Sequence, residues 1–197
     1  MADEVWVAGE AYEAYVGRWS RGIADEFVRW LAQPTGLRWV DVGCGTGALT
    51  ETVVRLTSPA SIVGVDPSQG FLARAKEQVT DQRVTFLEGS AESLPLPDNQ
   101  ADALVSGLSL NFVPNPALAA AEYARVAKPG AVVAAYVWDY SGGMEMLRHF
   151  WDAAATLDPA VAENDEGRRF SLCEPDPLSR LWTEAGMTAV TVRAVDI

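Results

Sequence analysis

Trp39-Val40-Asp41-Val42-Gly43-Cys44-Gly45-Thr46-Gly47 is the stretch that decides how this chain is read. Its first four residues are apolar except for Asp41, and glycine dominates its last five. The segment that follows, residues 49–56, carries apolar side chains at helical spacing. A strand that runs through a glycine turn into a helix marks the place where a doubly wound sheet opens its ligand crevice. Glycines there admit positive φ and, lacking a Cβ, let a ligand lie against the backbone at the helix N-terminus. Taken alone, the same residues also describe an ordinary tight turn, because glycine marks turns generally.

Outward from this turn the pattern repeats. Five short runs rich in Val, Ile, Leu, Phe and Ala, at 39–42, 62–65, 84–87, 103–106 and 132–138, alternate with helical spacing at 49–56, 71–79 and 118–127. Upstream, Ser20 is placed to cap a helix carrying Ile23, Phe27, Trp30 and Leu31 that ends near Gln33-Pro34. Strands that are apolar almost throughout lack a solvent side, so the fold class is α/β, a doubly wound, mostly parallel sheet with helices on both faces. The link over 88–101 contains Leu94-Pro95-Leu96-Pro97 and should be mostly loop. Beyond the fifth strand come a helix over 143–157, a polar stretch over 158–177, a helix over 178–185 and a last strand over 187–195. Length makes one domain the expectation for 1–197, divided into an N-terminal helical segment (1–34), a core (35–140) and a C-terminal part (141–197).

Composition excludes several classes of function. With 15 Lys and Arg against 27 Asp and Glu, the formal charge of -12 gives a surface that repels phosphate backbones, so nucleic acid is not an expected partner. The longest apolar run, 131–138, is far short of the roughly 20 residues needed to cross a bilayer. An acidic N-terminus is unlike a signal peptide. The expectation is a cytoplasmic protein without membrane insertion. Cys44 and Cys173 lie too far apart to suggest a disulfide framework, and with His149 as the single histidine a metal site has little to be built from.

Asp66 ends the second apolar run, close to the spacing of about 20 residues at which an acidic group accepts both hydroxyls of a ribose. The plainer alternative is that it caps the helix starting near Ser68. Gly43, Gly45 and Ala48 also satisfy the looser dinucleotide fingerprint, which keeps an NAD(P)-dependent oxidoreductase in contention. Asp41 weighs against it, because its charge would lie close to a pyrophosphate in a partly desolvated crevice. S-adenosylmethionine, which presents an ammonium and a sulfonium, suits an acidic crevice better.

The ordered motifs VDVGCGTG, VDPSQGFL and EGSAESLPLPDNQADALVS, within about residues 35–140, closely resemble the class I S-adenosylmethionine-dependent methyltransferases, in particular the small-molecule branch of ubiquinone/menaquinone-biosynthesis type. The resemblance implies a Rossmann-like fold and methyl transfer to a small-molecule acceptor by direct displacement. It implies that Asp41, Gly43 and Gly45 line the methionine end of the cofactor and that Asp66 holds the ribose. Pro67 and Phe71 stand where the family packs on adenine. Ser90, Ala91 and Glu92 form the turn that reads the adenine edge, although many members carry Asp where this chain has Ser90. Ser106 matches a position beside the methionine moiety. The aromatic segment 12–20 resembles one that folds over the cofactor as a lid, with Tyr12, Tyr15 and Trp19 shielding it and Arg18 meeting its carboxylate.

Methyl transfer from a sulfonium needs alignment and desolvation more than a dedicated base. The acceptor-side candidates are the residues just past strand ends, Asn111 and Phe112 after the fourth and Trp138, Asp139 and Tyr140 after the fifth. His149, within a helical stretch, is the sole histidine available as a base. The fold implied by the resemblance ends in two antiparallel strands, whereas here one is evident. Either the end is truncated, or another element or a partner chain covers that edge, a homodimer being one such arrangement. A non-catalytic cofactor-binding domain is the remaining alternative.

Overall fold

The computed structural model describes residues 18–196. Tyr12, Tyr15 and the side chains of Arg18 and Trp19, and with them the expected lid, lie outside what it describes. The described residues open on helix α1 (Arg18–Leu31), so Ser20 sits inside its first turn and not at the cap that its residue type suggests. Strands and helices then alternate: β1 (Arg38–Val42), α2 (Ala48–Thr57), β2 (Ser61–Asp66), α3 (Gln69–Gln78), β3 (Val84–Glu88), β4 (Ala101–Gly107), α4 (Pro116–Val126) and β5 (Ala127–Tyr136). All five strands are parallel, in the order β3-β2-β1-β4-β5. The chain moves outward from β1 to β3, then returns across β1 to start the other half with β4. This reversal leaves a crevice beyond the carboxyl ends of β1 and β4.

Successive side chains of a strand face opposite layers. In β4, Ala103 and Val105 join Trp39, Phe27 and Val53 in the core under α1 and α2, while Leu104 joins Val40, Val42 and Tyr123 in the core under α4. No polar face remains on the central strands, as expected for a sheet covered on both sides.

The connection over 88–101 contains no helix, and one side chain organises it. The Arg125 guanidinium donates to the carbonyl oxygens of Leu94 (3.2 Å) and Leu96 (2.8 Å), to Asp98 (2.7 Å) and to both carboxylate oxygens of Glu122. Glu122 in turn accepts from the Leu94 N–H (2.8 Å). The fork of donors meets carbonyls that the prolines leave without strand or helix partners.

Past β5 come α5 (Glu145–Leu157), the short α6 (Glu166–Arg169) and α7 (Pro175–Glu184). The strand expected over 187–195 does not form. Residues 187–196 run beside β5 without pairing, and a cleft of about 1890 Å³ is lined by both. Alternating apolar residues make a strand only where a ladder of partners is within reach. Here Met187 and Val190 pack against the core instead, and Arg193 stacks 4.8 Å from the Trp30 ring centroid. No described helix is long and apolar enough to cross a membrane.

Arg125→Ala removes the guanidinium bonds to the Leu94 and Leu96 carbonyls, Asp98 and Glu122. Urea denaturation should show a loss of about 1–3 kcal/mol, and Arg125→Lys, which lacks the planar fork, should recover little of it.

Candidate cofactor crevice

The glycine turn is stitched to the neighbouring strand by its own backbone. Both Gly43 N–H (2.7 Å) and Cys44 N–H (3.1 Å) donate to the Val65 carbonyl at the end of β2. At Gly43, φ is 71°, and a Cβ would stand 2.5 Å from the Cβ of Ser109 and closer still to its Oγ. That serine, on the loop after β4, donates to the Val42 carbonyl (3.2 Å) and meets Ser106 Oγ at 2.8 Å. Ser106 itself is fully buried and positions Ser109 beneath the turn. Ser109 was missed from sequence. The signal for it lay in Gly43, whose missing side chain had to make room for something.

Gly45 differs. Its φ is 53° and a Cβ there would have nothing within 4 Å, so it faces open space. Helix α2 follows with no side-chain cap at Gly47, which leaves its first-turn N–H groups and the positive end of its dipole facing the crevice.

Two carboxylates underlie this turn. Asp41 is fully buried; one oxygen accepts from Thr50 Oγ1 (2.6 Å) and the other, Oδ1, has no hydrogen-bond partner among the described residues. Burial pushes its carboxyl up to about 7 and the charge of Asp66 adds to this, while the Thr50 hydrogen bonds oppose it. Asp66 turns back toward the protein, accepting from Gly45 N–H (3.0 Å) and Ser68 N–H (2.8 Å). Burial raises its carboxyl too, against the pull of those two bonds. Ser68 rather than Asp66 caps α3, through the Phe71 N–H (3.3 Å). Each oxygen of Asp66 keeps a free lone pair, so its bonds to Gly45 and Ser68 leave it able to accept a diol. Cys44 lies between these acids; burial and both charges push its thiol far above the usual range, which makes it an inert packing residue.

Around the crevice mouth, Pro67 is exposed and Phe71 half-buried at the start of α3, with Ser90 and Ala91 half-buried beyond β3. Ser90 Oγ accepts from Glu92 N–H (3.2 Å), and Glu92 accepts from Asn115 N–H (2.7 Å) at the head of α4. The carboxylate of Glu92 is therefore held by the helix start. On the acceptor side, Asn111 and Tyr140 both converge on Cys173, Asn111 Nδ2 lying 3.4 Å from its Sγ and the Tyr140 main chain bonding its thiol. Asp139 folds its own loop by accepting from the N–H groups of Ser141, Gly142 and Gly143. His149 is on the exposed side of α5 and joins none of these groups.

The orphaned Asp41 oxygen, the open space at Gly45 and the uncapped α2 together fit a ligand that carries positive charge over Asp41 and a carboxylate toward the helix end. Residues 40–135 match the family described as a methyltransferase domain, in line with the resemblance carried by the sequence motifs. A chloroplastic 2-methyl-6-phytyl-1,4-hydroquinone methyltransferase of Oryza sativa is 34% identical over 121 residues, which are 59% of this chain and 34% of that protein. A demethylmenaquinone methyltransferase of Roseiflexus castenholzii is 28% identical over 191 residues, 90% of this chain and 79% of that protein. The solved S-adenosylmethionine-dependent methyltransferase of Mesorhizobium loti superposes with a TM-score of 0.54 at 26% identity, covering 62% of this chain and 57% of that one. Against three curated hydroquinone and demethylmenaquinone methyltransferases, the matched part spans 34% to 43% of their length.

Two outcomes follow from the turn and its acids. Gly43→Ala should cost about 2–4 kcal/mol, from the left-handed φ and the collision with Ser109. Gly45→Ala should cost about 1 kcal/mol in stability and at least about tenfold in affinity for S-adenosylhomocysteine; calorimetry and denaturant melts separate the two. For Asp41, the folded-state value lies above the unfolded one, so the folded chain holds a proton that the unfolded chain releases. Stability should be greatest near pH 4, fall as the pH rises toward 7 by up to about 4 kcal/mol, and lose this slope in Asp41→Asn, measured by urea midpoints across that window.

Proposed function

We propose that this protein transfers the methyl group of S-adenosylmethionine to a small-molecule acceptor by direct displacement. The observation that carries the reading is Asp41, an acid fully buried beneath the glycine turn with one oxygen unpaired and its carboxyl pushed up to about 7. A cation above the turn relieves that unfavourable charge, whereas a pyrophosphate aggravates it. This separates the proposal from a nicotinamide-dependent oxidoreductase.

The chain's residues have distinct tasks in it. The N–H groups at the head of α2 face the cofactor carboxylate, and Asp41 offers its field to the ammonium and sulfonium. Asp66 accepts the ribose hydroxyls through its remaining lone pairs while holding Gly45 and Ser68 in place. Pro67, Phe71 and Ala91 enclose adenine, with the Ser90 hydroxyl at its edge. When bound, the cofactor supplies an already activated methyl group. The protein then has to align the acceptor, exclude water and let one proton leave. Asn111 and Tyr140, past the ends of β4 and β5, are the polar groups that orient the acceptor. Relatives named as a phytyl-hydroquinone methyltransferase and a demethylmenaquinone methyltransferase support a small-molecule acceptor.

Titration calorimetry with S-adenosylhomocysteine and with NAD tests the donor. Binding of the former, weakened about tenfold or more in Asp66→Asn, is the expected result; NAD binding without it would overturn the proposal. Transfer of labelled methyl to a panel of hydroquinones tests the reaction.

A further inference from the structure

Asp41 lies on the central strand of the sheet, in register with Gly64 of β2 on one side and Val105 of β4 on the other, neither of which brings it a polar side chain. The polar and titratable groups that act on it come from other elements. Thr50 of α2 donates from its hydroxyl at 2.6 Å and bonds it through main chain as well. Asp66, at the end of β2, adds a negative charge. The Cys44 thiol in the turn and the Tyr123 phenol of α4 both feel the Asp41 charge, and burial holds both in their neutral forms. None of these four groups is basic. The residue is shut from solvent, and its Oδ1 has no hydrogen-bond partner among the described residues.

A carboxylate placed in this way has lost its hydration without gaining a counter-ion, and under those conditions the acid keeps its proton. Burial and the charge of Asp66 accordingly raise the Asp41 carboxyl to about 7, against the pull of the Thr50 bonds. Above it, the turn at Gly45 faces open space, the side from which a cationic ligand approaches. We propose that Asp41 holds a proton in the chain alone and gives it up to solvent as a cationic cofactor binds, so that acidity regulates how readily the crevice is loaded. Thr50 keeps the carboxylate hydrogen-bonded after the proton has left. By linkage, whatever displaces the proton is itself displaced when the proton returns. The inference rests on the methyltransferase reading for the identity of the cation; the proton on Asp41 is a property of the chain.

Titration calorimetry of the full chain with S-adenosylmethionine, repeated in buffers of different ionisation enthalpy, counts the protons. About one proton should be released per ligand bound near pH 6 and about a tenth of one near pH 8. Affinity should rise by about tenfold from pH 5 to pH 6 and level off above pH 8. The control probe is 5′-methylthioadenosine, which keeps the adenosine and its ribose hydroxyls but carries neither cation, and its binding should release no proton. Thr50→Val retains the shape but removes a hydroxyl that favours the charged form, so the pH midpoint of affinity should move upward by about one unit. Asp41→Asn should bind S-adenosylmethionine with no dependence on pH in this window. Infrared difference spectra of wild type at pH 6, with and without S-adenosylmethionine, should show a protonated carboxyl replaced by a carboxylate, a readout that needs no variant. Binding without proton release, equal release by both probes, or a midpoint unmoved in Thr50→Val overturns the inference and leaves methyl transfer standing. A chain that binds no S-adenosylmethionine at any pH overturns the methyltransferase reading, and the competition with it.

Discussion

The carbonyl of Val65 receives two N–H groups, from Gly43 and Cys44, and the geometry of the crevice depends on that one acceptor. It ties the glycine turn after β1 to the end of β2, where Asp66 begins its own pair of bonds to Gly45 and Ser68. The turn is therefore held from β2 at both levels, through main chain and through carboxylate. On its other flank Ser109 fills the space that Gly43 leaves by having no side chain. A turn supported from both neighbouring strands can present its N–H groups in a fixed direction without a ligand to order it, which is what preorganised binding requires.

That arrangement has an electrostatic cost concentrated in one place. The charge of Asp66 acts on Asp41 and the charges of both acids act on Cys44, and burial raises all three above their ordinary ranges. Among the described residues Thr50 supplies Asp41 with hydrogen bonds and no positive charge. A buried acid without a counter-ion is a weak choice for stability but a suitable one for a site whose ligand brings the cation. The same residue accounts for the electrostatic penalty of the turn and for the proposed preference for a sulfonium ligand over a pyrophosphate.

How much of this was legible in the sequence depends on whether a feature is local. The strands, the helices between them and the proline-rich crossover follow from apolar period and turn residues, and each was found within a few positions of its observed bounds. Gly43, Gly45, Asp66 and Ser90, on the turns after β1, β2 and β3, could be singled out as candidates because motif spacing reports on a single βα unit. What sequence did not give is what comes together from far apart. Ser109 against Gly43, Arg125 under the crossover and Asn111 beside Cys173 are tertiary facts with no short-range signature. The strand expected over 187–195 failed for the converse reason: its alternation was visible, whereas the absence of a pairing partner was not.

This division also explains why the donor and acceptor sides differ in character. Strand ends and helix starts hold the cofactor crevice, elements whose geometry the parallel sheet dictates. The acceptor side draws on the loop after β4, on the segment after β5 and on the short helical turns around 159–173, elements that nothing in the sheet constrains. Asp139 must fold its own loop with hydrogen bonds to Ser141, Gly142 and Gly143, and Asp165 must hold Arg148 to join α5 to the turns that follow. A common donor bound by rigid parts and a variable acceptor bound by locally tied loops is a workable separation. Changes in the loops alter which acceptor is received without disturbing the Val65 stitch on which the donor site depends.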